Sequence, residues 1–131
     1  MSELVYRSMT LPDIEQVYEI ECSCFSQPWS VESLIGEVIR NDAASYVVAE
    51  DNGKIVGYAG MWQMFDEAHM TNIAVAAEYR CRGIATNLIL CLMRTAKANG
   101  GKRMTLEVIP HLGSGTREQD ENTTVTRVKM H

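Results

Sequence analysis

Apolar side chains return every three or four positions between Ile14 and Val38 and again between Ile84 and Leu92, while the stretches around them alternate. The first spacing predicts helices and the second strands. "LVYRSM" (4–9) reads as a first strand. Thr10 then caps a helix that has Pro12 in its first turn and Asp13 three residues after the cap. Ile14, Val17 and Tyr18 share a face with Glu21, Cys24 and Phe25. "SQPWS" interrupts, and Ser30 caps a second helix with Leu34, Ile35 and Val38 on one side. "SYVVAE" and "KIVGYAGMWQM" flank "DNG", a hairpin signal because Asn-Gly accepts positive φ. After the turn "FDE", "AHMTNIAV" (68–75) predicts another strand. A helix follows from 83 to about 98, ended by Asn99-Gly100-Gly101, and then the strand "KRMTLEVI" (102–109).

The order β-α-α-β-β-β-α-β contains one strand-helix-strand crossover, so strands 68–75 and 102–109 are expected to run parallel. Met61, Trp62 and Met64 read as core or groove lining. "PHLGSGTREQDENTTVTRVKMH" is a different kind of sequence, polar and then alternating Thr with Val.

At 131 residues the chain holds one core. A net charge of −5 argues against broad nucleic-acid or anionic-membrane binding. No apolar run approaches the roughly 20 residues of a membrane helix, and "MSELVYRSMT" lacks a signal-peptide pattern. Cys22, Cys24, Cys81 and Cys91 lack zinc spacing and read as reduced thiols of a cytoplasmic protein. No metal is expected. Cys22 and Cys24, two apart on a helix, face different ways.

The joint "RCRGIA" (80–85) changes the picture, because it sits between a strand and a helix. Backbone N–H groups at a helix start have no intrahelical partner and lie at the positive end of the dipole. A polyphosphate can collect them. Gly83 and Ala85 leave room for a close approach, and Arg80 and Arg82 add charge. Alone the pattern is equally that of a turn with solvated arginines. The Gly-Lys-Ser/Thr ending of a P-loop and the GxGxxG fingerprint are both absent.

Arg80-x-x-Gly83-x-Ala85 after "NIAV", opening an amphipathic helix, resembles the acetyl-CoA motif of the GNAT family of N-acetyltransferases. The likeness covers roughly residues 3–109, and "FSQPWS", "NIAV" and "LEV" narrow it toward the bacterial ribosomal-protein alanine N-acetyltransferase (RimI) group. It implies an α/β fold with a mixed, mostly antiparallel sheet, a splayed parallel strand pair and flanking helices. It implies an acetyltransferase domain over 1–109 that is C-terminally incomplete or altered, and an atypical tail over 110–131. The family's Asn after "LEV" and its "LYxxxGF" helix have no counterpart, and no tyrosine follows Tyr79 to protonate a departing thiolate.

The same resemblance implies acetyl-CoA as donor, held by backbone at Ile73, Ala74 and Val75 and by Arg80, Cys81, Arg82, Gly83, Ile84, Ala85 and Thr86. Asn87 is either a ligand of pantetheine or phosphate or a solvated edge residue. Glu107 matches the base position, with His69 as rival and Glu67 as a weaker candidate. Pro28 and Trp29 match the acceptor loop, although Trp29 could equally plug the core. The acceptor implied is the N-terminal peptide of a ribosomal protein, in the cytoplasm, with neither nucleic acid nor membrane as partner. A small amine as acceptor, or CoA binding with little turnover, are the other readings. "TTVTRVKM" (123–130) is expected to pair as a substitute strand, on its own sheet or in a dimer.

Overall fold

A computed structural model describes the backbone of residues 4–108 and 124–129 and the side chains of residues 4–106. The elements are β1 (Leu4–Ser8), α1 (Ile14–Cys24), α2 (Val31–Ile39), β2 (Ala44–Asp51), β3 (Lys54–Met64), β4 (Glu67–Val75), α3 (Ile84–Ala98), β5 (Arg103–Val108) and β6 (Thr124–Lys129). They form one sheet in the order β1-β2-β3-β4-β5-β6. Every neighbouring pair is antiparallel except β4 with β5. β6 pairs with β5 of its own chain, from Val108↔Thr124 to Arg103↔Lys129, so the alternating Thr-Val stretch closes its own sheet.

Helices cover both faces. Ile84, Leu88, Leu92 and Ala96 of α3 pack on Val47, Ala49, Val56 and Met70. Ile14, Val17, Ile20 and Cys24 of α1 and Leu34 of α2 pack on Val48, Ile55, Tyr58 and Ala74. With both faces covered, β3 is buried without interruption from Ile55 to Met61 instead of alternating. Met61 lies in the core, and Trp62 and Met64, at the end of β3, are 42% and 68% exposed. The β2–β3 turn uses Asn52 and Gly53 at φ 50 and 87, the conformation that the Asn-Gly pair predicts. Gly60 is required by packing, since a Cβ there would stand 2.2 Å from the Tyr46 ring.

The expected capping box is present, but it opens a short 3-10 turn, Leu11–Asp13, before α1 proper. Asp13 accepts from the Thr10 N–H and hydroxyl at 2.8 and 3.0 Å. It also accepts two hydrogen bonds from Arg7, each 2.8 Å, while Arg7 donates to Glu50 at 2.7 Å. One guanidinium thus ties β1, the start of α1 and β2 together.

These bonds, led by those from Arg7, hold the Asp13 carboxyl down at about 2, below its ordinary 3.8. The folded value lies below the unfolded one, so this stabilisation is complete above about pH 4. It fades as pH falls toward about 2 and amounts to about 2 kcal/mol. Asp13→Asn is expected to lose that amount at pH 7, and its urea midpoint should drop less steeply than the parent's between about pH 4 and 2.

Candidate functional site

The sheet comes apart in one place. β4 and β5 pair only over Glu67↔Arg103, Ala68↔Met104 and His69↔Thr105. Beyond that point Met70–Val75 of β4 follows β3 while Leu106–Val108 of β5 follows β6, and the two no longer match. The Ala76 N–H donates to the Val56 carbonyl at 2.8 Å. Backbone groups alternate sides along a strand, so the N–H of Ala74 also faces β3. The N–H groups of Ile73 and Val75 therefore face the open edge. The expected parallel crossover and its splay are both present.

The open edge leads to the joint between β4 and α3. A 3-10 turn, Ala77–Tyr79, is followed by Arg80, then by Cys81 at φ 63 and Gly83 at φ 79. Left-handed residues turn successive N–H groups toward one side, which makes a concavity suited to an anion. Gly83 caps α3, and the ladder begins with the Asn87 N–H bonding to its carbonyl at 3.0 Å. Ile84, Ala85 and Thr86 thus sit in the turn whose N–H groups lack intrahelical partners. Val75, Tyr79, Arg80, Cys81 and Gly83–Thr86 line a cavity of about 230 Å³ here. A Cβ on Gly83 would meet no protein atom within 4 Å. What demands glycine is its positive φ, and the space beside it is left open.

The charged side chains around this loop are arranged unevenly. Arg80 is turned back on the strand: Nε donates to the Val75 carbonyl at 3.1 Å and a terminal nitrogen to Cys24 Sγ at 3.3 Å. Arg82 is exposed and lies over the Tyr79 ring, 5.0 Å from its centre. The Tyr79 hydroxyl donates to Asp51 at 2.7 Å, which raises its pKa and holds its proton away from the joint. Asn87 donates to the Tyr6 hydroxyl at 3.2 Å, toward β1 and so away from the open edge. Cys22 is exposed and Cys24 buried, as their spacing predicts.

On the other face, α1 and α2 carry the loop with Pro28 and Trp29. Ser30 caps α2 by accepting from the Ser33 N–H at 3.1 Å. Pro28, Trp29, Ser30, Ser33, Gly36 and Glu37 line a cavity of about 480 Å³. Trp29 is half-buried and packs on the core under α1 and α2, so it both plugs that core and walls the cavity. Glu37 accepts from Tyr46 O–H at 2.8 Å, Trp62 Nε1 at 2.6 Å and Asn41 Nδ2 at 2.9 Å. Burial pushes the Tyr46 phenol well above its ordinary range. His69 stands directly across from Trp62, exposed, at the point where β4 and β5 part. Glu67 is held by Arg103 at 3.4 Å at the start of β4. Glu107 is placed on β5 opposite Val125, two residues past the last β4 pairing, and its side chain lies outside the described residues.

Sequence reasoning passed over Glu21, which is fully buried. It accepts from the Tyr58 hydroxyl and from the Trp29 N–H, the latter at 3.0 Å. Its one signal was position: a carboxylate on the same face as Val17 and Cys24. Among the described residues no group of side chains is arranged to hold a metal ion, and no helix is long and apolar enough to cross a membrane.

The model of the acetyltransferase (GNAT) family matches residues 14–115. The chain belongs to the GNAT acetyltransferase family. A Bacillus subtilis (strain 168) protein provisionally named a [ribosomal protein bS18]-alanine N-acetyltransferase is 40% identical over 102 residues, covering 78% of this chain and 68% of that one. The [ribosomal protein bS18]-alanine N-acetyltransferase of Haemophilus influenzae is 32% identical over 98 residues, covering 73% and 64%. The chain thus spans about two thirds of the length of the curated relatives it matches. The fold agrees with the ribosomal-protein-S18-alanine N-acetyltransferase of Escherichia coli at a TM-score of 0.74, with 24% identity and coverage of 85% and 70%. It also agrees with the PaiA N-acetyltransferase of Thermoplasma acidophilum in complex with coenzyme A, at 0.78, with 16% identity and coverage of 97% and 99%. GNAT enzymes draw their acetyl group from acetyl-CoA.

Two substitutions at the joint separate backbone geometry from charge. Gly83→Ala must hold an L residue at φ 79 and should weaken acetyl-CoA binding by about 10-fold or less. Gly83→Asp adds a carboxylate in the open space and should abolish binding by calorimetry. Unchanged affinity in a folded Asp variant would remove the joint as the anion site.

Proposed function

We propose that this chain moves the acetyl group of acetyl-CoA onto the α-amine of a protein N-terminus, the N-terminal alanine of a small-subunit ribosomal protein. One observation carries the reading: β4 and β5 part after His69 and Thr105, leaving an open strand edge that runs into the loop at 80–83. Pantetheine is an extended arm with amides, and such an edge can receive it as it would receive a strand. The Ile73 and Val75 N–H groups pair with the arm. The amides of 80–86 take the pyrophosphate, with Arg82 adding charge at the rim. Arg80 serves by bracing the end of β4. The relatives named for bS18 alanine acetylation support the choice of acceptor. A ribosomal-protein acceptor sets the reaction in the cytoplasm.

The acceptor amine arrives protonated over Pro28 and Trp29. Glu107 takes its proton, directly or through one water. The nitrogen then attacks the thioester carbon while the Val75 N–H donates to the carbonyl oxygen. A C–N bond forms and the C–S bond breaks; the nitrogen gives up its second proton to water, and the thiolate takes one from water, since the Tyr79 hydroxyl is directed at Asp51.

A peptide beginning with the bS18 alanine should gain one acetyl group by mass spectrometry, and far faster than free amino acids or polyamines. Faster transfer to the small amines would reverse the choice of acceptor. Glu107→Gln should lower turnover on the order of 10²-fold or more with acetyl-CoA affinity nearly kept. If that variant keeps its rate while His69→Ala is crippled, the base is His69.

A further inference from the structure

The last turns of α1 hold a carboxylate that the reaction as written does not use. Glu21 is 0% exposed. One of its oxygens accepts from the hydroxyl of Tyr58, itself fully buried on β3, and the other accepts from the Trp29 N–H at 3.0 Å. The Tyr58 oxygen in turn receives Asn72 Nδ2 at 3.4 Å, and Asn72 Oδ1 receives the Thr71 hydroxyl at 2.7 Å. Thr71 and Asn72 lie on the stretch of β4 that has left β5. One turn further along α1, Cys24 Sγ donates to the Val75 carbonyl at 3.7 Å and accepts from Arg80. The end of α1 therefore grips the loop at Trp29 on one side and the open length of β4 on the other.

Stability alone does not account for a carboxylate here. Its neighbours on the helix face are Val17 and Cys24, and a methionine or leucine would pack without the cost of burying a charge. What an apolar side chain lacks is direction. The Glu21 oxygen aims at one backbone N–H and sets the height of Trp29 above the sheet. A wall of the 480 Å³ cavity between loop and α2 is thereby fixed relative to β4.

We propose that Glu21 is a positioning residue for the acceptor: its buried carboxylate holds the Pro28–Trp29 loop in register with the open edge of β4. This rests on the proposed reading that the acceptor enters over that loop. The acetyl-CoA side, built from β4 backbone and the joint at 80–86, has its main support elsewhere, since β4 is bound along its length to β3.

The test is steady-state acetylation of the alanine-terminated peptide by the full chain, with acetyl-CoA affinity measured by calorimetry. Glu21→Met fills the same volume but offers the Trp29 N–H no oxygen. It should raise the acceptor KM about 10-fold or more, with a smaller fall in kcat and acetyl-CoA affinity within about 2-fold. Glu21→Gln keeps an oxygen for the Trp29 N–H, and its amide donates to the Tyr58 oxygen once the Asn72 amide flips to accept the Tyr58 hydroxyl. It should leave the acceptor KM about 3-fold above the parent, well below the Met variant, the difference from the parent reflecting the lost charge. An unchanged acceptor KM in a folded Met variant overturns the proposal. So does an equal loss of acetyl-CoA affinity, or a Gln variant no better than Met. If the Met variant does not fold, the Gln variant carries the test alone: a rise of about 3-fold for the acceptor only supports the proposal, and no rise overturns it. A parent protein that acetylates no N-terminal peptide fails at the earlier step, and takes the proposed function down together with the role for Glu21.

Discussion

The parallel ladder between β4 and β5 stops after His69 and Thr105, and much of the molecule is arranged around that interruption. Two neighbouring strands that part leave an edge of backbone N–H and C=O groups without a ladder partner. Within a folded sheet that costs free energy unless something else satisfies them. Here the Val75 carbonyl is taken by Arg80 and Cys24, and the adjoining N–H groups are left facing the gap. The gap stays open because each strand is committed elsewhere. β4 is bound along its length to β3, and β5 is bound to β6.

Rigid supports surround this opening. β3 is covered on both faces and anchors β4 from the closed side. α3 meets the far end of the crossover at a left-handed glycine, which turns its amides toward the same space. On the other face, Arg7 ties β1, β2 and the start of α1 through Asp13 and Glu50, so the helix that carries Glu21 and Cys24 begins from a fixed point. The joint at 80–86 and the Pro28–Trp29 loop are thereby built from different elements, each tied to the end of β4.

Much of this was legible from local chemistry. Thr10 and Asp13 marked a helix start because a cap and its partner lie three residues apart. Asn52-Gly53 marked a hairpin because both tolerate positive φ. The joint at 80–85 marked a turn into a helix because a glycine fell between an apolar run and a helical one. The Thr-Val alternation of the tail marked a strand. Less legible was the use of each charged side chain. Arg80 and Arg82 look alike in sequence, yet one braces the Val75 carbonyl and the other lies over Tyr79. Asn87 and Tyr6 are far apart in the chain, and nothing local announces that they bond.

The sequence by itself determined the elements, their order, the parallel crossover and the place of the strand-to-helix joint, because each follows from periodicity, capping or φ preference within a few residues. The tertiary structure alone decided where β4 and β5 part, which arginine turns inward, and that Glu21 is a buried anchor for Trp29. Those outcomes depend on which strand competes for which edge and which N–H lies above which carboxylate. Such pairings are between residues from separate elements, and a pattern read along one element does not contain them.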